Sequence, residues 1–326
     1  WRQQGHLGAD EDVAEHFGMD MRLAGWINCT ADLDFVPQVI EETDETIVTR
    51  DGNGAIFRRH KHHTTTPEHV GFAVTERAGW ETLIKPHLLE VDRRRIPFEE
   101  YRRERRFAAA RNRFFAWHGI APFEQMHPVC GHEHMLVGMA LDPEWVKDMV
   151  MTYTRFTINH LEVLFAEEGL PDGAWVYEDM GYKFKPFMSP AMYREIIQPG
   201  HARLFEFFHS RGLKIILHSC GFVEPLVPGL IEAGMDCLEA MEVKAGMDMR
   251  RLAKMYGDRI AFMGNIDERV LESNDHARID AELEAKLPCV RPGGYILQSD
   301  HSISTAVRHD TLHYFFERGR EMTAGA

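Results

Sequence analysis

The sequence has few cysteines and no long apolar run. Its 326 residues include five cysteines, an odd number spread along the chain, which excludes a disulfide-stapled secreted scaffold. No stretch approaches the roughly 18 apolar residues that a membrane span needs, and no signal-peptide pattern opens the sequence. These absences predict a protein of the reducing cytoplasm.

Positive charge is also scarce. Lys and Arg number 37 against 51 Asp and Glu, which gives a formal net charge of -14. Nucleic acids and anionic membranes are bound through an excess of Lys and Arg, so we expect neither as a partner. The composition is that of a globular enzyme, with 44% hydrophobic and 27% charged residues. We expect a single domain over residues 1–326, because α/β barrels commonly use this many residues as one domain.

The second half of the chain alternates short apolar segments with amphipathic ones. Strands are predicted at 113–117, 174–177, 213–217, 236–241, 259–263 and 294–297. Helices between them begin at capping residues, such as Ser189 before Pro190, and end at glycines such as Gly234. This alternation is typical of a parallel sheet. Two further strands, before about Asp51 and upstream of Trp1, would close a barrel of eight.

The first part of the chain is predicted to be an extension of hairpin and helix. The turn at 51–54 separates two extended pieces and predicts a hairpin over 45–60. Because the sequence opens at Trp1 rather than Met, we expect an N-terminal piece to be missing. Further on, the segment 123–134 is rich in histidine and is predicted to be a surface loop, with a role as a lid left open.

The most informative segment is an apolar strand that ends in His218 and Cys220. Side chains alternate along a strand, so these two point the same way. Parallel α/β folds place their chemistry at the carboxyl ends of strands. One imidazole and one thiol on a shared face are half of a zinc site. The alternative is a pair of buried core residues, since free cysteine is among the most buried residue types.

Acidic and imidazole groups follow the later strands. Glu239 and Glu242 come with the next strand, and Asp300 and His301 follow the last one. Zinc accepts nitrogen, oxygen and sulfur ligands, so the predicted set is the His–Cys pair with Glu239, Glu242 and His301 as further candidates. Strand alternation indicates that only one of the two glutamates is well aimed.

The candidates for catalysis are Glu178, Asn265 and Asp300. Glu178 and Asp179 are neighbours on a strand and face opposite ways, so at most one points into the barrel. A buried carboxylate there would act as a general acid or base, whereas the alternative is a helix-capping or salt-bridged group. Asn265 and Asp300 follow strand ends and would orient a polar substrate, although Asn265 would equally start a turn.

Six motifs, in this order, resemble the uroporphyrinogen decarboxylase-like superfamily, in the branch near the corrinoid-linked methyltransferases. They are Glu178-Asp179-Met180, Ser189-Pro190-x-Met192-Tyr193-Arg194-Glu195, His218-x-Cys220-Gly221, Ala245-Gly246-Met247-Asp248, Met263-Gly264-Asn265-Ile266-Asp267 and Gly293-Gly294-Tyr295-Ile296. The resemblance covers the chain from about residue 110 onward. It implies a TIM (β/α)8 barrel, whose relatives decarboxylate a tetrapyrrole or move methyl groups to or from a corrinoid or a thiol, the latter with zinc.

The chain departs from these relatives at two places. The decarboxylases carry an Arg-Gln-Ala-Gly-Arg-Tyr signature, and the nearest string here, at 2–7, lacks the second arginine and the tyrosine and is predicted to be helical. The zinc methyltransferases usually supply a late cysteine, and here Asp300 and His301 stand in about that place. His301 could replace that cysteine, because imidazole is an equally good zinc ligand.

The expected function is transfer of a methyl group from a small methylated substrate to a corrinoid protein or a thiol, assisted by zinc. The corrinoid is expected on a separate protein, because nothing here resembles a cobalamin-binding domain. The alternatives are a metal-free decarboxylase that holds its substrate through Glu178, Asp300 and His218, and a barrel that only binds a ligand. The sequence names neither the substrate nor the oligomeric state, for which a homodimer is one alternative.

Overall fold

A computed structural model describes residues 1–63, 66–290 and 292–323. Its largest sheet has seven strands, which are β1 (Met21–Ala24), β2 (Phe114–Ile120), β3 (Gly173–Tyr177), β4 (Lys214–Ser219), β5 (Cys237–Ala240), β6 (Ala261–Gly264) and β7 (Tyr295–Ile296). The strands pair in chain order and all pairs are parallel. A doubly wound sheet would reverse its order at a switch point, so this order is that of the barrel type.

The sheet curls around a common interior. Met21, on the first strand, packs against Ile216 of β4, Cys237 of β5 and Met263 of β6. The predicted α/β fold with a parallel sheet is therefore confirmed, and β1 is one of the two further strands that were expected. Closure by eight strands is not confirmed, because the sheet formed by the described residues has seven strands, with β1 and β7 at its edges.

Twelve α-helices lie between and around these strands in the described part of the chain. They are α1 (Val13–His16), α2 (Arg77–Gly79), α3 (Phe98–Ala110), α4 (Pro122–Leu141), α5 (Pro143–Glu168), α6 (Pro190–Met192), α7 (Gln198–His209), α8 (Val227–Ala233), α9 (Met249–Tyr256), α10 (Glu268–Glu272), α11 (His276–Lys286) and α12 (His309–Thr323). Turns of π-helix at Trp80–Ile84 and Tyr193–Ile197 continue α2 and α6. None of the described helices is both long and apolar enough to cross a membrane.

The helix ends follow from local chemistry, as predicted. The Ser189 side chain accepts a hydrogen bond from the Met192 amide and caps α6. Asp248 and Asp275 cap α9 and α11 in the same way. Gly234 adopts φ 107° after α8, a left-handed conformation that glycine reaches without steric cost.

Helix α4 corrects the prediction of a surface loop at 123–134. The chain is helical there, apart from a kink at Gly131, whose φ is 72°. A Cβ at Gly131 would lie 2.4 Å from the Phe72 ring, so the kink also permits close packing. A proline at the first helical position and a helical apolar period outweigh the two breakers inside the segment. The side chains predicted to be at the surface are half-buried: Glu124, His127, His132 and His134.

A small antiparallel sheet follows β1 in the chain. Its strands are Gln38–Glu42, Thr46–Arg50, Ile56–His60 and Glu68–Gly71. The two middle strands form the predicted hairpin, and its turn is held by Asp51, whose Oδ1 accepts from the amides of Asn53 at 2.9 Å and Ala55 at 3.0 Å. A two-stranded ribbon, Gly181–Tyr182 with Lys185–Pro186, lies in the loop after β3.

A second hydrophobic core binds residues 1–20 to the last helices. Phe17 is buried against Leu271 of α10, Leu283 of α11 and Phe315 of α12. Hydrogen bonds reinforce the contact, because Arg320 Nη2 donates to the Phe17 carbonyl at 2.8 Å. The string at 2–7, predicted to be helical, lies instead in turns that precede α1.

Candidate active site

His218 lies at the end of β4 and is held by its neighbours in the sheet. It pairs in register with Tyr177 of β3 and with Glu239 of β5, and residues in register on parallel strands present their side chains on the same face. The imidazole stacks on the Tyr177 ring with centroids 4.9 Å apart and also packs against Trp175 at 5.1 Å. The ring is therefore fixed on the interior face.

A thiol and a carboxylate lie next to the Nε2 atom of this imidazole. Cys220 Sγ lies 3.3 Å from His218 Nε2, as the strand pattern predicted. Asp179 Oδ1 lies 3.5 Å from the same nitrogen. The ligand atoms of all three residues are within 4.8 Å of one another. Asp179 is itself oriented, because it accepts hydrogen bonds of 2.7 Å from the Cys220 amide and from the Tyr177 hydroxyl.

Glu239 fixes the other side of the imidazole. The His218 Nδ1–H donates to Glu239, which is buried and also accepts from Gln298 Nε2 at 3.0 Å. Burial alone would lower the pKa of His218, but hydrogen bonds with Cys220 and Glu239 outweigh it and raise the pKa to about 10. With Nδ1 committed to Glu239, Nε2 is the nitrogen that faces Cys220 and Asp179.

Two glycines allow the loops that carry Asp179 and Cys220 to touch. A Cβ on Gly181 would lie 2.5 Å from the Cys220 carbonyl oxygen, and one on Gly221 would lie 2.4 Å from the Gly181 carbonyl carbon. The Phe222 amide then donates to the Tyr182 carbonyl at 3.0 Å across the same contact. The distance between the thiol and the carboxylate therefore depends on backbone contact at these glycines.

We expect Gly181→Ala to push the two loops apart and to lower the free energy of unfolding by about 1–3 kcal/mol, because backbone atoms cannot rotate out of the way. Urea unfolding would measure the loss, and faster hydrogen exchange of the Cys220 amide would report the broken bond to Asp179. The control is Gly71→Ala, whose Cβ meets Ile56 Cδ1 at an ordinary 3.7 Å. Equal stability and equal exchange in the two variants would contradict this account of the contact.

Comparison with known proteins agrees with this architecture. Residues 118–322, more than half of the chain, match the uroporphyrinogen decarboxylase (URO-D) family. The chain belongs to the URO-D family. Among solved structures, a methyltransferase from Methanosarcina mazei is similar, with a TM-score of 0.67 and 15% sequence identity, over 95% of this chain and 83% of that one. No curated protein sequence is significantly similar to this URO-D family member.

Glu178, predicted to be catalytic, does not join the cluster. Its carboxylate is fully buried and accepts hydrogen bonds of 2.9 Å from the amides of Phe123 and Glu124, at the start of α4. His201 Nε2 lies 2.5 Å from it and is equally buried. Glu178 therefore caps a helix behind β3, and its neighbour Asp179 is the member of the pair that faces the site.

Asn265 and Asp300, also predicted to be catalytic, have their polar atoms occupied by backbone groups. Asn265 is fully buried, accepts from the Met249 amide at 3.1 Å and donates to the Met241 carbonyl at 2.5 Å. Asp300 accepts from the amides of Val243 at 2.7 Å and Glu268 at 2.9 Å, and burial raises its pKa. Both residues tie loops together at the carboxyl end of the sheet, and their predicted role in orienting a substrate stays a prediction.

The remaining predicted metal ligands also lie outside the cluster. Glu239 contacts His218 on the opposite nitrogen, and Glu242 accepts from the Gly221 amide at 2.8 Å. The side chain of His301 is exposed, and its carbonyl accepts from Ser299 Oγ at 2.7 Å. The structure thus brings Asp179 together with His218 and Cys220, and metal binding by the residues predicted from sequence stays a prediction.

Sequence reasoning missed His118, a group beside the cluster. His118 on β2 pairs in register with Trp175, and its ring also packs against Trp26 at 5.3 Å. Burial lowers its pKa. The sequence signal that could have found His118 is strand alternation, because every second residue of β2 faces the same side of the sheet. Glu124 and His127, from the histidine-rich segment 123–134 already noted in the sequence, lie 2.6 Å apart near the cluster. Burial and the nearby Asp179 raise the pKa of Glu124, although His127 acts to lower it.

The donor set suits a zinc ion. Nitrogen, sulfur and carboxylate oxygen are the atoms that zinc binds in proteins. A histidine that ligates a metal almost always donates its other N–H to a carboxylate or carbonyl, as His218 does to Glu239. In this URO-D family member, Asp179, His218 and Cys220 are therefore the residues that could hold the metal, with Glu239 as the group that orients the imidazole.

Proposed function

We propose that this protein is a methyltransferase that moves a methyl group from a small methylated substrate to a corrinoid protein or a thiol. The observation that carries the proposal is the meeting of Cys220 Sγ, His218 Nε2 and Asp179 Oδ1 within 4.8 Å at the carboxyl ends of the strands. A thiol and an imidazole beside a carboxylate suit metal-assisted group transfer. The similar fold of the Methanosarcina mazei methyltransferase supports the same reaction class.

Asp179, His218 and Cys220 would hold the zinc ion in this proposal. When bound, the ion supplies Lewis acidity to the heteroatom that carries the methyl group. Glu239 keeps the His218 ring in one tautomer and one orientation, and Tyr177 holds the Asp179 carboxylate through its hydroxyl. These contacts place the three donors before any ligand arrives, which is what a transfer site requires.

Aromatic rings form a wall from the surface to the cluster. The 40% exposed Trp26 contacts His118, whose ring lies 6.4 Å from Trp175, and Trp175 contacts His218. A small methylated compound would bind against this wall with its heteroatom toward the cluster. The carbon–heteroatom bond then breaks with its electron pair left on the heteroatom, and a lone pair of the acceptor forms the new bond to carbon.

The metal-free decarboxylase is less well supported by the placement of its residues. Of the three groups that would hold its substrate, Glu178 and Asp300 have their carboxylates bonded to backbone amides, and only His218 faces the interior. The string at 2–7 also lacks the arginine pair of the decarboxylases. Decarboxylation therefore serves as an alternative outcome of the functional test.

The test mixes the zinc-loaded protein with a cobalt(I) corrinoid protein and a panel of methyl ethers, methylamines and methyl thioethers. Formation of methylcobalt, followed in the visible spectrum, is the expected result, and a parallel reaction with a free thiol tests the second acceptor. Release of carbon dioxide from carboxylated compounds, with no methylcobalt across the panel, would establish the lyase instead. Ligand binding without turnover of any substrate would establish a binding protein.

We expect Glu239→Gln to weaken zinc binding by about 10–100-fold, because the loss of a carboxylate that orients a ligating histidine typically costs this much. Competition with a chromogenic chelator would measure the affinity. The control is Glu232→Gln, whose carboxylate is half exposed and bonds to Arg194 at the surface. Unchanged zinc affinity in the Glu239 variant would contradict the role of this carboxylate in orienting a ligating His218.

A further inference from the structure

Three histidines outside the candidate active site turn their ring nitrogens toward one another. His16 ends α1, and His309 and His313 lie one turn apart at the start of α12. His16 Nε2 is 2.7 Å from His309 Nε2 and 3.3 Å from His313 Nε2. The three ligand atoms all lie within 4.8 Å of one another. Imidazoles from both ends of the described chain thus converge on one point.

The separations suit a bound metal ion. Histidines four residues apart on a helix lie on the same face, as in other helical metal sites. Zinc binds imidazole nitrogen at about 2.0–2.1 Å, so two tetrahedral nitrogen ligands lie about 3.3–3.4 Å apart. His16 and His313 already have this separation. The shorter contact between His16 and His309 is a hydrogen bond, and it would widen by about 0.6 Å around an ion.

The rings are oriented by further contacts. His16 Nδ1 donates to Glu11 Oε1 at 2.7 Å, which leaves Nε2 for the cluster. The other oxygen of Glu11 accepts from the Gly8 amide at 2.8 Å, so the carboxylate is itself fixed. His6 stacks on His309 with centroids 4.4 Å apart. A carboxylate behind a ligating imidazole is the usual outer contact of a metal site, and it repeats what Glu239 does for His218.

We propose that His16, His309 and His313 bind one divalent transition-metal ion of the zinc class. All three side chains are partly exposed, so an ion has access from solvent. The ligands are neutral nitrogen donors, which suit zinc, copper and nickel rather than magnesium or calcium. The bound ion would link α1 to α12 across 293 residues of chain and strengthen the contact made by the second hydrophobic core.

The experiment counts ions in four proteins, so that this site and the candidate active site are tested separately. Equilibrium dialysis with zinc is expected to give two ions per wild-type chain, one for Cys220→Ser, one for His313→Gln and none for the double variant. Cobalt(II) identifies each site by its ligands. The His313→Gln protein should keep a sulfur-to-cobalt charge-transfer band, and the Cys220→Ser protein should lack that band while it retains the visible bands of nitrogen-bound cobalt.

The matched control is His276→Gln. His276 lies on the neighbouring helix α11 and stacks on Tyr314, away from the three nitrogens, so its loss should leave both ions bound. The melting temperature should rise with free zinc in the Cys220→Ser protein and should not do so in the double variant. Full zinc occupancy in the double variant, or no zinc-dependent rise in the melting temperature of Cys220→Ser, would overturn the proposal.

A second variant serves if His313→Gln does not fold. Glu11→Gln keeps all three imidazoles and removes the carboxylate that orients His16, so we expect about 10–100-fold weaker zinc binding in the Cys220→Ser background. Glu45→Gln, at an exposed residue in the turn between the first two strands of the antiparallel sheet, is its control and should bind zinc with unchanged affinity. Equal affinities in these two variants would overturn the proposal independently of the stoichiometry.

Discussion

Cys220→Ser is expected to lower the zinc affinity of the Asp179–His218–Cys220 site and the rate of methyl transfer together, each by about 100-fold or more, since the loss of a direct ligand exceeds the effect of losing an outer contact. Cys220 supplies the only sulfur among the three clustered groups, and a neutral hydroxyl is a poor substitute for a thiolate. Metal content by elemental analysis, in the His313→Gln background that lacks the three-histidine site, and the methylcobalt assay would measure the two losses on the same preparation.

Cys289→Ser is the matched control for this substitution. Cys289 is exposed, and its Sγ contacts the Ala285 carbonyl at 3.5 Å, so both zinc occupancy and turnover should remain at the wild-type level. In the His313→Gln background, retention of metal and activity by the Cys220 variant would show that the thiol has no part in the site. Loss of activity with the metal retained in that background would limit Cys220 to contact with the substrate.

The second large effect is expected at the adjacent carboxylates Glu178 and Asp179. A substitution at Glu178 should lower stability, whereas a substitution at Asp179 should lower activity. Glu178→Ala removes the acceptor for two amides of α4 and the partner of His201, all in a fully buried region. Removal of one member of a buried ionic hydrogen-bonded set typically costs about 3–5 kcal/mol, and we expect a loss of this size in the free energy of unfolding. Guanidinium denaturation would measure it.

Asp179→Asn should show the reverse pattern. An amide oxygen can still accept from Cys220, so the free energy of unfolding should fall by no more than about 1 kcal/mol, whereas zinc binding and methyl transfer should drop sharply. Glu178 and Asp179 are neighbours directly after β3, and their side chains face opposite ways. A stable Glu178→Ala protein without turnover would restore the prediction from sequence that Glu178 is catalytic.

The parts of the fold that could be predicted are those set by local chemistry. Serine and aspartate caps, glycine stops and apolar strands act over a few residues, so α6, α8, α9 and α11 and six of the seven strands were placed correctly. Strand β1 was not located, because its four residues include Arg22 and give too short a pattern. Helix α4 was read as a loop, because Pro128 and Gly131 interrupt an apolar period that tertiary packing sustains.

The candidate site was predictable only where its members share one strand. His218 and Cys220 are two residues apart, so alternation alone brings them together. Alternation also predicts that the side chains of Glu178 and Asp179 face opposite ways. Which of the two faces the site depends on amides at the start of α4 that bind Glu178, 54 and 55 residues away in the chain. The three-histidine cluster depends on contacts across about 290 residues, and the four-residue spacing of His309 and His313 was its single local sign.

The second hydrophobic core has a consequence for synthesis of the protein. Phe17 emerges from the ribosome early, but its partners on α10, α11 and α12 follow about 250–300 residues later. At about 5–20 residues per second, translation takes roughly 15–60 s to reach Phe315 from Phe17. During that interval the nascent chain carries an apolar N-terminal segment without its native cover. Chaperones would therefore have an opportunity to bind here, and the contacts of this core form only after Phe315 has been synthesised.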